Sequence, residues 1–236
     1  VRDRRPGEVV VDGRRLVDDL VRWGVTLLEL YLAEGLLDGP GVDRLAASAR
    51  RSWVVDDGVL ADVAPTRAPQ GVLAVVAEPR QEPWPGRDGV ALYLDRVQDP
   101  GNTGALVRSA AALGAAAALL APGGADPFHP AAVRASAGAV FRLPVVRDRP
   151  LADVAAGVRR HGGEVWVADT AGLAVGDWRP RRPTVVVVGA EGCGVSDEAR
   201  ELADGAVTIP LARGVESLNV GVAAALLLDA LRRQSP

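Results

Sequence analysis

Lysine is absent from this 236-residue chain; isoleucine and cysteine each occur once, histidine and asparagine twice. One cysteine, Cys193, excludes a disulfide framework and a cysteine-rich zinc site, and fits a reducing compartment. Two histidines, His129 and His161, cannot by themselves build a multi-histidine metal centre, so no metal is expected. The longest apolar run, near the C-terminus, is preceded by Asn219 and broken by Asp229, too short and interrupted to span a bilayer. No charged-then-apolar signal opens the chain, which begins at Val1 with Arg2, Asp3, Arg4 and Arg5, and a leading segment is expected to be missing. The expectation is a soluble, cytoplasmic protein with no membrane partner.

Hydrophobic residues make up 48% against 24% charged, enough for a real core in one large or two modest domains. The net charge is −3, so no overall basic excess announces nucleic acid, although binding a phosphate backbone needs only local positive charge. All 27 basic residues are arginine, grouped at Arg2/Arg4/Arg5, Arg14/Arg15, Arg50/Arg51, Arg142/Arg147/Arg149 and Arg179/Arg181/Arg182. Each group reads first as a solvated face. The missing lysine is read as compositional bias and not as function.

Hydrophobic spacing predicts strands at 8–12, 25–32, 52–55 and 71–76, with helices at 14–23, 42–49 and 56–63, the last opened by an Asp56 cap. Residues 79–88 hold Pro79, Pro83, Pro85 and Gly86 and read as a linker. The expected organisation is therefore a small α/β unit at 1–78, a linker at 79–88 and a second unit at 89–236. In the second unit strands are expected at 89–94, 115–120, 141–146, 164–168, 184–188 and 206–210. Helices at 102–113, 130–137, 151–161, 196–203 and after 219 separate them. Apolar strands alternating with helices predict a parallel sheet covered on both faces.

Three loops follow strands of that unit and should converge at their carboxyl ends, where open α/β sheets bind ligands. The first, DRVQDPGNTGALVR at 95–108, places Asn102 as a helix cap or ligand contact and Arg108 on another face of the same helix. The second is Gly189-Ala190-Glu191-Gly192-Cys193-Gly194, whose glycines let a backbone approach a ligand. Its G-x-x-G-x-G spacing is neither the dinucleotide fingerprint nor a phosphate-binding P-loop, which disfavours a nucleotide-dependent dehydrogenase. By itself it serves equally as a structural turn. The third, TIPLARGVESLNVGVAAALLL at 208–228, contains the sole Ile209 and one of two asparagines, Asn219. Its main chain at Ile209 and Leu211 suits an adenine, and Ser217 is expected to cap the helix that follows.

The strings DRVQDPGNTGALVRSAAALG, VVVVGAEGCGVSDEA and TIPLARGVESLNVGVAAAL resemble the three motifs of the SpoU-type (TrmH-like) RNA ribose 2′-O-methyltransferases of the SPOUT superfamily. RASAGAVFRLPVV is also similar to that family, and GEVVVDGRRLVDDL to TRAPQGVLAVVAE resembles its small substrate-binding domain. The resemblance implies an α/β fold: a parallel-sheet SPOUT domain with a C-terminal trefoil knot, preceded by a small α/β RNA-binding domain. It also implies a homodimer that transfers a methyl group from S-adenosyl-L-methionine to a ribose 2′-hydroxyl. Carried over by motif position, Asn102, Arg108, Glu191, Ser217 and Asn219 form the reaction site. Gly189, Ala190, Glu191, Gly192, Ile209, Leu211, Ser217 and Leu218 hold the cofactor.

Leu211 stands where the family often has Met, a volume-conserving change. Gly221 stands where it usually has Ser, which is expected to weaken the helix by about 1 kcal/mol relative to Ala. Arg108 is a poor literal base, because guanidinium stays protonated above pH ~12. Its expected work is to hold a neighbouring phosphate and lower the hydroxyl pKa electrostatically, with Glu191 as candidate proton acceptor. The RNA expected is ribosomal, of the large subunit. A tRNA 2′-O-methyltransferase, an antibiotic-resistance methylase and a non-catalytic RNA-binding or ribosome-assembly protein of the same fold are the alternatives.

Overall fold

The structure is a computed structural model that describes residues 5–65, 69–80, 84 and 86–234. Arg2, Arg4, Pro83 and Pro85, named above in an arginine group and in the linker, lie outside these.

In the first unit, β1 (Glu8–Asp12), α1 (Arg14–Arg22), β2 (Leu27–Ala33), α2 (Val42–Ala47), β3 (Ser52–Val55), α3 (Asp57–Val63) and β4 (Val72–Ala77) follow one another. The strands form a mixed sheet in the order β1-β4-β2-β3, with β4 antiparallel to both its neighbours and β2 parallel to β3. Asp56 caps α3, its carboxylate accepting from the N–H groups of Gly58 and Val59.

The second unit runs β5 (Val90–Asp95), α4 (Pro100–Ala112), β6 (Ala117–Leu120), α5 (Pro130–Ala135), β7 (Val145–Val146), α6 (Leu151–Arg160) and β8 (Glu164–Ala174). It closes with β9 (Thr184–Gly189), α7 (Asp197–Leu202), β10 (Gly205–Thr208) and α8 (Val220–Arg233). Its six strands are all parallel, in the order β10-β8-β9-β5-β6-β7. Both faces are covered, and period-2 alternation sorts the side chains. Val90, Leu92 and Leu94 of β5 and Val186 and Val188 of β9 join the core that holds α4 and α8. Ala91, Tyr93, Val185 and Val187 point the other way, into the core that holds α6 and α7. Strands buried on two faces read as unbroken apolar runs for this reason. The chain winds outward from β5 to β7, then returns on the other side with β9 beside β5, so the sheet's switch point lies between β5 and β9.

Four local expectations are corrected. Asp99, not Asn102, caps α4: its carboxylate accepts from Asn102 N–H at 2.7 Å, which places Asn102 inside the first turn. Asn219, not Ser217, caps α8, with Oδ1 accepting from Gly221 N–H at 2.9 Å and Val222 N–H at 3.4 Å. The strand expected at 141–146 is a 3₁₀ turn over Ala139–Phe141, opened by left-handed Gly138, and only Val145–Val146 pair in the sheet. Pro144 lacks the N–H a longer ladder would need, and contributes only its carbonyl, to Ala118 N–H at 2.9 Å. Finally, β8 extends to Ala174, six residues past its expected end, and pairs with β10 across a register shift at Ala206/Val207.

The core on the α4 face is continuous with that of the first unit, whose sheet contributes Val9, Val11 and Leu30 and whose α1 contributes Leu20. Two glycines permit the close approaches involved. A Cβ on Gly104 of α4 would lie 2.2 Å from the Ala132 carbonyl oxygen of α5. One on Gly138 (φ +80°) would lie 2.6 Å from Leu16 Cδ1 and 2.9 Å from Trp23. The Arg142 guanidinium sits 5.1 Å from the centre of the Trp23 ring, and Arg147 bonds both Glu78 and Asp126 across the same seam. Gly104→Ala is expected to lower stability by about 1–3 kcal/mol, the cost of forcing packed elements apart; urea unfolding with an unchanged midpoint would show that α4 and α5 can separate freely.

Candidate active site

At the carboxyl ends of β9 and β10, beside the middle of β8 and the start of α8, a cavity of about 620 Å³ opens to solvent. Three segments form its walls.

The turn after β9 is tight. Gly194 N–H bonds Ala190 C=O at 2.9 Å, and Gly192 and Gly194 take left-handed conformations, φ +80° and +67°. Gly189 has no room for a side chain, since a Cβ would fall 2.0 Å from the Gly194 carbonyl carbon. The turn is also held from below. Buried Asp95, at the end of β5, accepts from Ser196 N–H at 2.6 Å, and Ser196 Oγ caps α7 by accepting from Ala199 N–H at 3.1 Å.

The segment 209–219 is mostly exposed. Its internal main-chain hydrogen bond among the described residues, Val215 N–H to Ala212 C=O at 3.3 Å, leaves the main-chain groups of Ile209 and Leu211 outside the turn. Where this segment enters α8, Asn219 uses both ends of its amide. With Oδ1 committed to the helix N–H groups, Nδ2 must face away from them, and it donates to Glu191 Oε1 at 2.9 Å. One side chain thus ties the glycine turn to the last loop. Gly221 lies under this cap: a Cβ there would press to 3.2 Å from Asn219 Oδ1. Glycine in the first helical turn leaves Asn219 room, and a position so near the helix end weakens the propensity cost expected above.

The third wall was missed from sequence. Ala168, Asp169 and Thr170 of β8 line the cavity together with Arg200 of α7. Asp169 and Arg200 pair at 2.8 Å, and Arg200 also donates to Val195 C=O at 2.6 Å, buttressing the glycine turn. The overlooked signal was position: Asp169-Thr170 follows the predicted strand 164–168 as the other loops follow theirs.

Of the residues singled out above, Gly189, Ala190, Glu191, Gly192, Ile209, Leu211, Ser217, Leu218 and Asn219 line this one cavity. Asn102 and Arg108 do not. Arg108 instead lines a second cavity of about 410 Å³ that faces α1. Among the described residues no group of His, Cys, Asp and Glu is arranged to hold a metal ion, and no helix is long and apolar enough to cross a membrane.

Burial alone would raise the Asp169 carboxyl, but hydrogen bonds from Ala171 N–H and Arg200 outweigh it and hold it below the usual aspartate range. A folded-state pKa below the unfolded one stabilises fully above the unfolded value, and that contribution is lost as pH falls through the folded value. Arg200→Met should therefore lower the thermal midpoint at neutral pH, with the gap to wild type closing as pH falls, so that the acid limb of the profile becomes shallower. A variant whose thermal midpoint matches wild type at every pH would mean the pair adds nothing.

Residues 89–229 match the model of the SpoU rRNA Methylase family. An uncharacterized tRNA/rRNA methyltransferase of Synechocystis is 34% identical over 94% of this chain and 86% of its own length. The 23S rRNA (guanosine-2′-O-)-methyltransferase RlmB of Pseudomonas syringae is 34% identical over 87% of this chain and 88% of its own. Among solved structures, the SpoU methyltransferase AviRb from Streptomyces viridochromogenes in complex with AdoMet superposes with a TM-score of 0.86 at 31% identity, covering 97% of this chain and 90% of that one. The cavity between three parallel strands and α8 is thus found in a chain that belongs to the SpoU rRNA methylase family.

Proposed function

We propose that this chain transfers a methyl group from S-adenosyl-L-methionine to a ribose 2′-hydroxyl of ribosomal RNA, that of the large subunit. The observation that carries the reading is the Asn219–Glu191 hydrogen bond, which joins the turn after β9 to the loop before α8 around one cavity. AviRb, bound to AdoMet, and RlmB, named for a 23S rRNA 2′-O activity, support it.

The residues present suit that cofactor. The cavity lies within the several-hundred-Å³ range of small-molecule sites. Ile209, Leu211 and Leu218 supply apolar walls, and the glycine turn presents backbone to the cavity at Gly189, Gly192 and Gly194. When bound, the cofactor supplies a methyl group already activated on a sulfonium. The protein's remaining tasks are to orient the hydroxyl and help remove its proton. In this reading Glu191 accepts that proton, held in place by Asn219, while Ser217 and Asn102 orient ribose and loops. Arg108 holds the adjoining phosphate and favours the alkoxide.

Arg108 reaches no wall of the cofactor-sized cavity within one chain, and the proposed homodimer resolves this. Val222 and Leu226 on α8 are 49% and 46% exposed, and Leu211 and Val215 are exposed beside them. A second copy packed on this face would bury them and bring another protomer's residues to the cavity. The trefoil knot at the C-terminal end, the division into 1–78, 79–88 and 89–236, RNA binding by the first unit and a cytoplasmic location belong to the same proposal.

Calorimetry with S-adenosylmethionine, followed by tritium transfer to bulk rRNA, tests the function, and 2′-O-methyl mapping in a deletion strain identifies the nucleotide. Binding without transfer would leave the non-catalytic RNA binder. Glu191→Gln preserves an oxygen for Asn219 but removes the base, so turnover should fall about 10²–10⁴-fold with cofactor affinity little changed. Arg108→Ala should abolish transfer while the cofactor still binds; normal turnover in either variant removes that residue from the mechanism. The double substitution Val222→Glu/Leu226→Glu should yield monomers by light scattering and lose transfer, and a dimer that persists would place the contact elsewhere.

A further inference from the structure

The second cavity, of about 410 Å³, lies where α1 of the first unit meets α4 and α5 of the second. Its walls carry Arg15 of α1, Arg108 of α4 and Arg134 of α5, all exposed and none in an ion pair among the described residues. Other arginines nearby are neutralised: Arg14 and Arg44 by Asp18, Arg22 by Asp19, and Arg147 by Glu78 and Asp126. The carboxylates on these walls are Asp12 and Asp19. Asp19 is taken by Arg22 at 3.0 Å, and Asp12 also has a partner. Gln70 adds a neutral donor.

The positions of these arginines follow from the two glycine contacts. Gly104 lets α5 lie directly on α4 at Ala132; Arg108 is one turn beyond Gly104, and Arg134 two residues beyond Ala132. Gly138 seats Leu16 of α1, and Arg15 is its neighbour. Ala137, also on the cavity wall, holds a left-handed φ of 48°, a conformation that costs a non-glycine residue free energy. Three guanidiniums, none of them in an ion pair among the described residues, thus stand on three packed elements around one cavity.

We propose that this cavity is a phosphodiester clamp, in which Arg15 and Arg134 grip the RNA backbone beside Arg108, so that both units hold the same strand. The clamp rests on the reading of the chain as an RNA methyltransferase for its ligand, but not for its charge. Arginine suits the task because its planar fork bonds phosphate oxygens bidentately.

The test measures binding of a fluorescent oligouridylate across a salt series, with inorganic phosphate as competitor at constant ionic strength. Each lost contact to a single strand should flatten the slope of log K against log salt by about 0.7, so Arg15→Ala/Arg134→Ala should flatten it by about 1.4. The same variant should weaken RNA binding about tenfold or more at moderate salt, leave S-adenosylmethionine affinity by calorimetry unchanged, and raise KM for rRNA more than it lowers kcat. Arg15→Lys/Arg134→Lys should restore the slope but not all of the affinity. An unchanged slope in the alanine variant overturns the clamp, as does displacement of RNA by inorganic phosphate alone, which would assign the site to a free anion. If the arginines govern RNA binding but wild-type protein transfers no methyl group, the clamp stands and the proposed activity falls. If methyl transfer proceeds with the slope unmoved, the reverse holds.

Discussion

Asn219 satisfies two demands with one planar amide. Its oxygen closes the open end of α8, and its nitrogen reaches Glu191 in a different loop. An N-cap is worth about 1 kcal/mol, so the residue would be useful in any helix. Here the cap also fixes which way the amide faces, and that leaves the nitrogen for the glycine turn. The two loops of the cavity are therefore registered to each other through the end of a helix that packs on α4. Ligand-facing geometry is tied to the stability of the core.

Close backbone approach is the second constraint. Gly189 lets the turn after β9 fold onto its own strand, Gly104 brings α5 against α4, and Gly138 receives α1. The first of these builds the cofactor-sized cavity, and the other two build the arginine cleft. The two cavities are backed by neighbouring helices, α8 at the first and α4 at the second: a Cβ on Gly221 of α8 would be 3.8 Å from Ala105 Cβ on α4. In the proposed reaction the donor site and the strand-holding site are thus parts of one packed layer, although no side chain of one chain lines both.

Much of the fold was legible because burial writes itself into sequence. Val185 to Val188 is apolar on both faces since α4 and α8 cover one side and α6 and α7 the other. Caps were less legible. Asp99 and Asn102 are both good capping types three residues apart, and the choice fell to Asp99 because Pro100 suits the first helical position. Ser217 and Asn219 posed the same ambiguity. The segment before Val145 is apolar enough for a strand, but Gly138 and Pro144 shape it as a turn.

The amino-acid sequence by itself determined the alternation of strands and helices, the covered parallel sheet and the three loops that carry Gly189, Glu191, Ile209 and Asn219, because apolar period and glycine placement are local properties. Only the tertiary structure decided that β8 runs on to add Asp169, that Arg200 buttresses the glycine turn, and that Arg108 parts from the other site residues to join Arg15 and Arg134. Those neighbours are separated by tens of residues along the chain, and what places them together is the order of strands in the sheet and the contacts its glycines permit. Neither has a signature within any one stretch of sequence.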